Sequence, residues 1–530
     1  MTPLDPAPAS SAASVREPAP PGPPPGHLKR RALDGFLWLS LGNGLRAVLK
    51  VAVLAVLARL LTPVDFGLVA AAGVVVWFSM LFSSLGVGPA LVQRQDLEPR
   101  HVATGLTASA LFGLLLGLVL VAAAPLLAVL FRMPGLTPVL RGMAVVFPIA
   151  GLSLVGEALL QRELRFGTLA MAELVSYAVG YGVVGIGAAL AGAGVWALVA
   201  AEVGKALIKT VLYLVLPAGR VRPRFEVAAF RDLVVFGSGY TANGLSIYFA
   251  MQGDSFVVGR YLGAGPLGLY GRAYELMLVP SQVLGMMLEK ILFPMLASVQ
   301  DDAARLRLAY RRGTALVALI VLPLSALTVV LAPEIVRVLL GPGWRGAVPV
   351  LRVLAAAMYL RVGYMLGHTV VNATGAVVQT AWRSALHAVL VVVGALVGQR
   401  WGLTGVAAGV VAAITVNFVL VLQLGRRVTG LGWGALAAAH RHALLLALLV
   451  GAEAWAIARV LTPLAASAAP AALTLVAAAA AALVTTLLLV RLLPARALGD
   501  DGRWLVHTLL TSAPAPLRPL LRRLRTPDWT

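Results

Sequence analysis

The amino-acid sequence predicts an all-α polytopic membrane protein of about fourteen transmembrane helices, with two six-helix lobes related by a parallel pseudo-repeat plus two extra C-terminal helices. Three observations lead there. Of the 530 residues 60% are hydrophobic and 12% charged, with a mean hydropathy of +0.89, whereas an ordinary soluble domain is about 45–50% apolar and about 25% charged. Apolar runs long enough to cross a bilayer recur along the chain, and short motifs return after 201 residues. A water-soluble enzyme is excluded, because half the charge its surface needs is missing. A disordered chain is excluded too, since it needs the opposite composition. The chain has no cysteine, which removes disulfides, thiolate metal sites and cysteine nucleophiles and leaves the redox compartment open.

Taken in order, residues 1–28 are rich in Pro, Ala and Ser and read as a disordered cytoplasmic tail that buries no core. No positive stretch precedes an apolar one there, so it does not read as a signal peptide. Lys29, Arg30 and Arg31 stand directly before the first apolar run. About 20 mostly apolar residues are needed to cross about 30 Å of hydrocarbon. That ruler places spans 1–6 near 36–58, 66–91, 103–131, 138–160, 168–190 and 194–216. Spans 7–12 fall near 231–254, 273–297, 313–332, 346–371, 379–399 and 401–424, and spans 13 and 14 near 438–460 and 468–492.

Loop charge sets the expected orientation. Alternate connections carry Arg94 and Arg100; Arg162 and Arg165; Arg220, Arg222, Arg224 and Arg231; Arg305, Arg307, Arg311 and Arg312; and Arg426, Arg427 and Arg441, while the connection at 191–194 has no charge. By the positive-inside rule the rich set is cytoplasmic, and so are both termini. The excess of 43 Lys+Arg over 22 Asp+Glu is spread between apolar runs, which argues against nucleic acid as a partner.

The repeat fixes the expected architecture. Arg59-Leu60-Leu61 before Phe66-Gly67-Leu68 returns as Arg260-Tyr261-Leu262 before Leu267-Gly268-Leu269, with 260 − 59 = 268 − 67 = 201. Gly194 to Leu198 resembles Gly402 to Val406, at 402 − 194 = 208. Copies six spans apart share one orientation, so the lobes are expected to be parallel, about an axis along the membrane normal, with a site between them. The chain then divides into a tail (1–28), an N-terminal lobe (29–218), a C-terminal lobe (226–425), the extra spans (438–492) and a basic cytoplasmic tail (493–530). In that tail Arg518, Arg522, Arg523 and Arg525 lie among leucines, which suits either an anionic leaflet or a solvated segment.

Ionisable groups inside spans cost about 2.5–3.5 kcal/mol each on insertion scales and are functional candidates by default. Span 1 carries Asn43, Arg46 and Lys50 on one face, at i, i+3, i+7. Two readings stand: the cations bind an anionic substrate, or they pair with carboxylates of neighbouring helices. Span 6 carries Glu202, Lys205 and Lys209, where the first two can satisfy each other and Lys209 can snorkel to the cytoplasm. Span 7 holds Asn243, Gln252 and Asp254 with Gly237, Gly239 and Gly244, and Asp254 is expected near its outer end, followed by Arg260. In span 8 Arg272 and Glu275 can pair locally; span 10 holds Arg352, Arg361 and His368, the last two on one face; span 11 adds Arg383 and His387. Glu157, Glu173 and Glu453 are the remaining buried acids. Embedded cations outnumber acids, so a cavity with excess positive charge is expected, suited to phosphate or pyrophosphate.

Three motif matches are set aside. Gly263-Ala264-Gly265-Pro266-Leu267-Gly268 fits a dinucleotide fingerprint, but it joins two membrane helices with no preceding strand. Asn372-Ala373-Thr374 fits a glycosylation sequon but falls at an expected cytoplasmic helix end. His440 and His442 are two apart and share no helical face, so loop histidines rather than metal ligands are expected. No Walker A sequence occurs, and no cofactor is called for.

One stretch carries a family resemblance. Residues 254–280 read DSFVVGRYLGAGPLGLYGRAYELMLVP, and 291–313 read ILFPMLASVQDDAARLRLAYRRG. This resembles bacterial polysaccharide exporters of the colanic-acid and O-antigen flippase type, within the multidrug/oligosaccharidyl-lipid/polysaccharide exporter superfamily. The family pattern is matched by Asp254, Leu262-Gly263, Leu267-Gly268-Leu269-Tyr270, Ala273, Pro280, Phe293-Pro294 and Asp301-Asp302. In the first lobe it is matched by Arg59-Leu60-Leu61-Thr62-Pro63-Val64-Asp65-Phe66-Gly67, and overall it covers roughly 30–425. The resemblance implies a non-enzymatic inner-membrane flippase that moves undecaprenyl-pyrophosphate-linked oligosaccharide to the periplasmic leaflet by alternating access. Membrane lipids surround it, and a polysaccharide polymerase or glycosyltransferase would be its partner. Arg46, Lys50, Arg260, Arg272, Arg361 and His368 are then the candidate substrate contacts. Asp254, Glu157 and Glu202 are the candidates for coupling a proton or sodium ion. The rivals are a drug/cation antiporter of the same superfamily, which needs acids dominating the first cavity, and a membrane glycosyltransferase or polymerase.

Overall fold

The computed structural model describes residues 44–83, 87–94, 96–216, 223–237, 240–287, 296–374, 377–461 and 468–492. The two tails, Lys29 to Arg31, Asn43, Arg220, Arg222, Gly239 and Phe293-Pro294 lie outside the described residues. Every regular element among the described residues is a helix. From the chain start these are α1 (44–60), α2 (Pro63–Ser83), α3 (Val87–Gln93), α4 (Pro99–Phe131), α5 (Leu136–Met143) and α6 (Val146–Arg162). Next come α7 (Phe166–Leu190), α8 (Val195–Val215), α9 (Val227–Gly237), α10 (Tyr240–Leu262), α11 (Ala264–Met287) and α12 (Ala303–Val330). The remainder are α13 (Ala332–Leu339), α14 (Ala347–Ala356), α15 (Met358–Ala373), α16 (Val377–Gly398), α17 (Gly402–Thr429), α18 (Trp433–Leu461) and α19 (Ala468–Leu492). Among the described residues, eight helical stretches are long and apolar enough to cross a bilayer, or nine if α14 and α15, bent by 42°, form one span.

Local chemistry explains the ends. The N–H and Oγ1 of Thr62 donate to Asp65 Oδ2 at 2.9 and 2.7 Å, and the N–H of Asp65 donates back to Thr62 Oγ1 at 3.3 Å. With Pro63 as the first helical residue this is a reciprocal cap, and it starts α2 sharply. Asp302 caps α12 by accepting from the N–H groups of Ala304 and Arg305 at 3.1 and 3.0 Å. Gly263, at φ 95°, makes the turn between α10 and α11, a backbone region that glycine enters without strain.

Several expected boundaries shift. Predicted span 66–91 is two helices, α2 and α3, whereas span 138–160 falls within one apolar stretch, Leu136–Arg162, in which α5 runs on into α6. Asp254 is not near a helix end: α10 continues to Leu262, which places the aspartate two turns inside and only 1% exposed. His440 and His442 are not in a loop, because α18 begins at Trp433. His440 instead meets the hydroxyl of Tyr359 on α15.

Two close packings organise the bundle. In the stretch 382–429 a Cβ on Gly394 would meet the backbone of Gly409, and one on Gly398 that of Gly405. The two sums agree, 394 + 409 = 398 + 405 = 803, so α16 and α17 form an antiparallel hairpin at glycine-limited distance. The second is reciprocal. A Cβ on Gly67 of α2 would collide with the carbonyl of Ala264, and one on Gly268 of α11 with the carbonyl of Pro63. Since 264 − 63 = 268 − 67 = 201, each repeat position touches the other's equivalent, as in an isologous two-fold contact. Val64 and Gly265, also 201 apart, meet each other at the centre. Around this crossing Trp344 Nε1 donates to the carbonyl of Ala58 (2.7 Å) and Arg59 to that of Val338 (2.7 Å). One continuous core runs from Val53 and Leu57 of α1 through Phe131, Leu267 and Tyr270 to Trp344 and Val410.

Candidate functional site

Helix α8 presents Glu202, Lys205 and Lys209 on one face, as i, i+3, i+7 spacing requires. Opposite them, α7 leaves regular α-helical winding and runs as a π-helix over Ala178–Gly185. Extra-residue turns of this kind are rare and often sit at functional sites. Here glycine permits close contact: a Cβ on Gly180 would strike the backbone of Lys205. The approach brings the Tyr181 hydroxyl to Glu202 at 2.5 Å, while Lys205 pairs with Glu202 at 3.2 Å.

Further along the same face Lys209 bridges two carboxylates, Glu173 of α7 at 2.7 Å and Glu157 of α6 at 3.2 Å. Glu173 also pairs with Arg46 of α1 at 3.6 Å. Glu157, Glu173, Glu202, Lys205 and Lys209 line one cavity of about 540 Å³, whose other wall includes Gly73 and Trp77 of α2.

A second group adjoins it. Lys50 pairs with Glu275 of α11 at 2.8 Å, and Glu275 also takes Arg272 at 2.5 Å. The Arg272 guanidinium lies over the Phe66 ring, 4.9 Å from its centroid. Tyr177, stacked on Tyr181 at 4.9 Å, feels the charges of Arg46, Glu202, Arg272 and Glu275 and so links the two groups. The whole set holds five cations (Arg46, Lys50, Lys205, Lys209, Arg272) and four carboxylates (Glu157, Glu173, Glu202, Glu275).

The cations still outnumber the acids, five to four, but each of them is met by a carboxylate. The reason is energetic. An unpaired ion held away from bulk water is expensive, so packing recruits a counter-charge. Of the two readings left open for α1, interhelical pairing describes Arg46 and Lys50 here. Neither is enclosed by the protein, however, since their side chains are 48% and 38% exposed.

The other expected site residues lie elsewhere. Asp254 accepts from the Tyr270 hydroxyl at 2.6 Å and from the Ser255 N–H at 2.7 Å. Arg361, 8% exposed, donates to the Tyr274 hydroxyl at 2.8 Å. Tyr270 and Tyr274 stack, so this buried set joins α10, α11 and α15. His368 packs edge-on against Tyr364 (5.8 Å between centroids), as does His387 from α16 at a tilted 5.9 Å. Arg260 has its guanidinium over its neighbour Tyr261 and makes no ion pair among the described residues. Sequence reasoning passed over Lys209 as a snorkelling side chain and Glu173 as one acid among several. The only signal for Lys209 was its shared face with Glu202, and Glu173 on α7 had none. Of the tyrosines, only Tyr270 carried a signal, through the family motif 267–270.

A profile of the family described as "Polysaccharide biosynthesis protein" matches residues 56–349, more than half of the chain. The chain belongs to that family. It is similar to the teichuronic acid biosynthesis protein TuaB of Bacillus subtilis, with 26% identity over 337 residues covering 63% of this chain and 70% of that one. It is similar to the lipopolysaccharide biosynthesis protein WzxC of Escherichia coli, with 24% identity over 399 residues and coverage of 74% and 80%. The succinoglycan biosynthesis transport protein ExoT of Rhizobium meliloti is 31% identical over 310 residues, 58% of this chain and 62% of that one. In fold the chain resembles lipid II flippase MurJ in its inward closed conformation, with a TM-score of 0.70, 11% identity and coverage of 86% and 99%. An inward-facing MATE family transporter gives 0.58 at 18% identity, covering 73% and 95%. At such identities the likeness speaks for architecture alone. Family, apolar helices and fold together make this a multi-pass membrane protein of the polysaccharide exporter type, as the motifs in 254–313 implied.

Proposed function

We propose that the protein is a non-enzymatic carrier that flips a lipid-linked oligosaccharide across the bacterial inner membrane for surface polysaccharide assembly. The observation that carries this reading is the cavity lined by Lys205 and Lys209 of α8, with Arg46 of α1 held at its edge by the lining residue Glu173, in a chain of this family. Fixed cations of this kind suit the phosphates of a polyprenyl pyrophosphate.

In the same reading the chain has fourteen spans, with lobes 29–218 and 226–425 and two added helices, and both termini are cytoplasmic. The reciprocal contact of Gly67 and Gly268 supports a two-fold relation between the lobes, and the arginine-rich alternate loops support the orientation. The crossing at Pro63 and Ala264 is then periplasmic and shut, and the cavity belongs to a state facing inward. The likeness to inward conformations supports that assignment. Lobes rocking about the crossing would supply alternating access. Arg46, Lys50 and Arg272 are the proposed first contacts of the pyrophosphate. Arg361, His368 and Arg260 would act later or from the second lobe, and Glu157, Glu202 or Asp254 would couple a proton or sodium ion.

A second reading has one specific observation in its favour. Three carboxylates against two lysines line the cavity itself, and carboxylates are what a drug/cation antiporter would need there. Proteoliposomes decide between them. Protein-dependent movement of undecaprenyl-pyrophosphate-linked oligosaccharide, with no transport of organic cations, is expected; the opposite pair of results would replace the flippase with the antiporter.

A further inference from the structure

We infer that Glu173 is a resident counter-ion, occupying on Lys209 and Arg46 the place that a phosphate group of the substrate takes, and giving it up by binding a proton. The inference rests on the flippase reading for its ligand class. Its geometry is independent of that reading: Glu173 and Lys209 both line the cavity and pair at 2.7 Å, and Glu173 also receives Arg46, which is not part of that lining, at 3.6 Å. It is the only carboxylate among the described residues that joins a cation of α1 to one of α8.

The groups facing it are Arg46 from α1, Glu157 from α6, Lys205 and Lys209 from α8, and the Tyr213 ring, which lies 5.1 Å from Lys209 Nζ. With Glu157, Glu173, Lys209 and Arg46 all ionised, this quartet is electrically neutral. A pyrophosphate entering it adds at least two negative charges beside two carboxylates. Like charges at such separations cannot all stay ionised in a poorly solvated site, and the group that yields is a carboxylate, by taking up a proton. Protonated Glu173 no longer holds either cation, so Lys209 and Arg46 turn to the phosphate oxygens, where charge-assisted hydrogen bonds are stronger. Glu157 remains as the second neighbour of Lys209 and does not touch Arg46, so its protonation frees only one cation. Anion and proton therefore enter together. When the phosphate leaves, the proton leaves and Glu173 closes the ion pairs again, keeping the empty site neutral.

The experiment uses the full-length protein in lipid nanodiscs with farnesyl pyrophosphate as the probe, titrated between pH 5.5 and 8. One linked proton makes affinity fall roughly tenfold per pH unit above the carboxylate's titration. Calorimetry in buffers of different ionisation enthalpy should register uptake of about one proton per probe bound. Glu173→Gln should bind more tightly at pH 7.5 and lose that part of the slope, while Glu173→Asp, which keeps the charge, restores it. The probe's own titration is common to all variants and cancels in the comparison. Lys209→Gln should lose most of the binding. An unchanged slope in Glu173→Gln, a slope that vanishes only in Glu157→Gln, or absence of probe binding at every pH overturns the inference. Failure of the flippase reading would look different: Glu173-dependent proton uptake would persist while lipid-linked oligosaccharide stayed in its leaflet.

Discussion

At the scale of single residues, function turns on ions that hold one another. Lys209 separates two carboxylates, Glu157 and Glu173. Lys209→Ala would leave them facing each other, and breaking such a pair costs about 3–5 kcal/mol when fully buried. These side chains are a fifth to a third exposed, so the expected loss sits at or below the lower end of that range. Thermal unfolding in detergent measures it, and the double variant Lys209→Ala/Glu173→Ala should recover part of the loss. In the second half of the chain, Tyr270→Phe removes the hydroxyl that Asp254 accepts from at 2.6 Å. A hydrogen bond contributes about 0.5–1.5 kcal/mol net, so a drop of that order in unfolding free energy is expected. A drop below a few tenths would mean that Asp254 is held by its other neighbours. Of these partnerships the spacing along the chain disclosed two, Glu202 with Lys205 and Arg272 with Glu275, because both lie within one helical turn. The pairs of Arg46, Lys50 and Lys209 join different helices, and no local pattern encodes them.

At the scale of elements, the π-helical turns of α7 do what an ordinary helix could not. They accommodate extra residues over Ala178–Gly185 while Gly180 lets the backbone of α8 come within contact, which aims Tyr181 at Glu202. Gly180→Val places two methyl groups where the Lys205 backbone lies. Overpacking of this kind costs about 1–3 kcal/mol, and here it should also separate Tyr181 from Glu202. A lowered midpoint of thermal unfolding, together with impaired transport, is the expected result; a variant with wild-type stability and activity would show that α7 and α8 can part without consequence. The sequence pattern marked 168–190 as one span, but period and composition are blind to a π-turn, which arises from how the helix meets its neighbour.

For the whole molecule, the reciprocal crossing of α2 and α11 is the contact on which the two halves of the chain close. Val64 and Gly265 meet there, with a Cβ on Gly265 lying 3.7 Å from Val64 Cγ2. A cysteine sulfur at the γ position of residue 64 would lie about that far from the Cβ of residue 265, close enough for small side-chain and backbone adjustments to join them, so Val64→Cys/Gly265→Cys should cross-link on mild oxidation. The natural chain has no cysteine, so any bridge formed is the intended one. Oxidation should stop transport and reductant should restore it. Undiminished transport by the fully cross-linked protein would show that this crossing never opens.

Composition and the lengths of apolar runs determined that the chain is a helical membrane protein, and the motifs in 254–313 determined its family. Both are local properties of the sequence and survive without any knowledge of packing. The repeat was legible for the same reason, as two glycines and their neighbours 201 residues apart. Which ion neutralises which was decided only by tertiary structure: Arg46 by Glu173, Lys50 by Glu275, Arg361 capped by Tyr274. In a medium of low polarity an ion is satisfied by whatever counter-charge packing brings within a few ångströms, and distances between helices are not written in the order of residues along one of them.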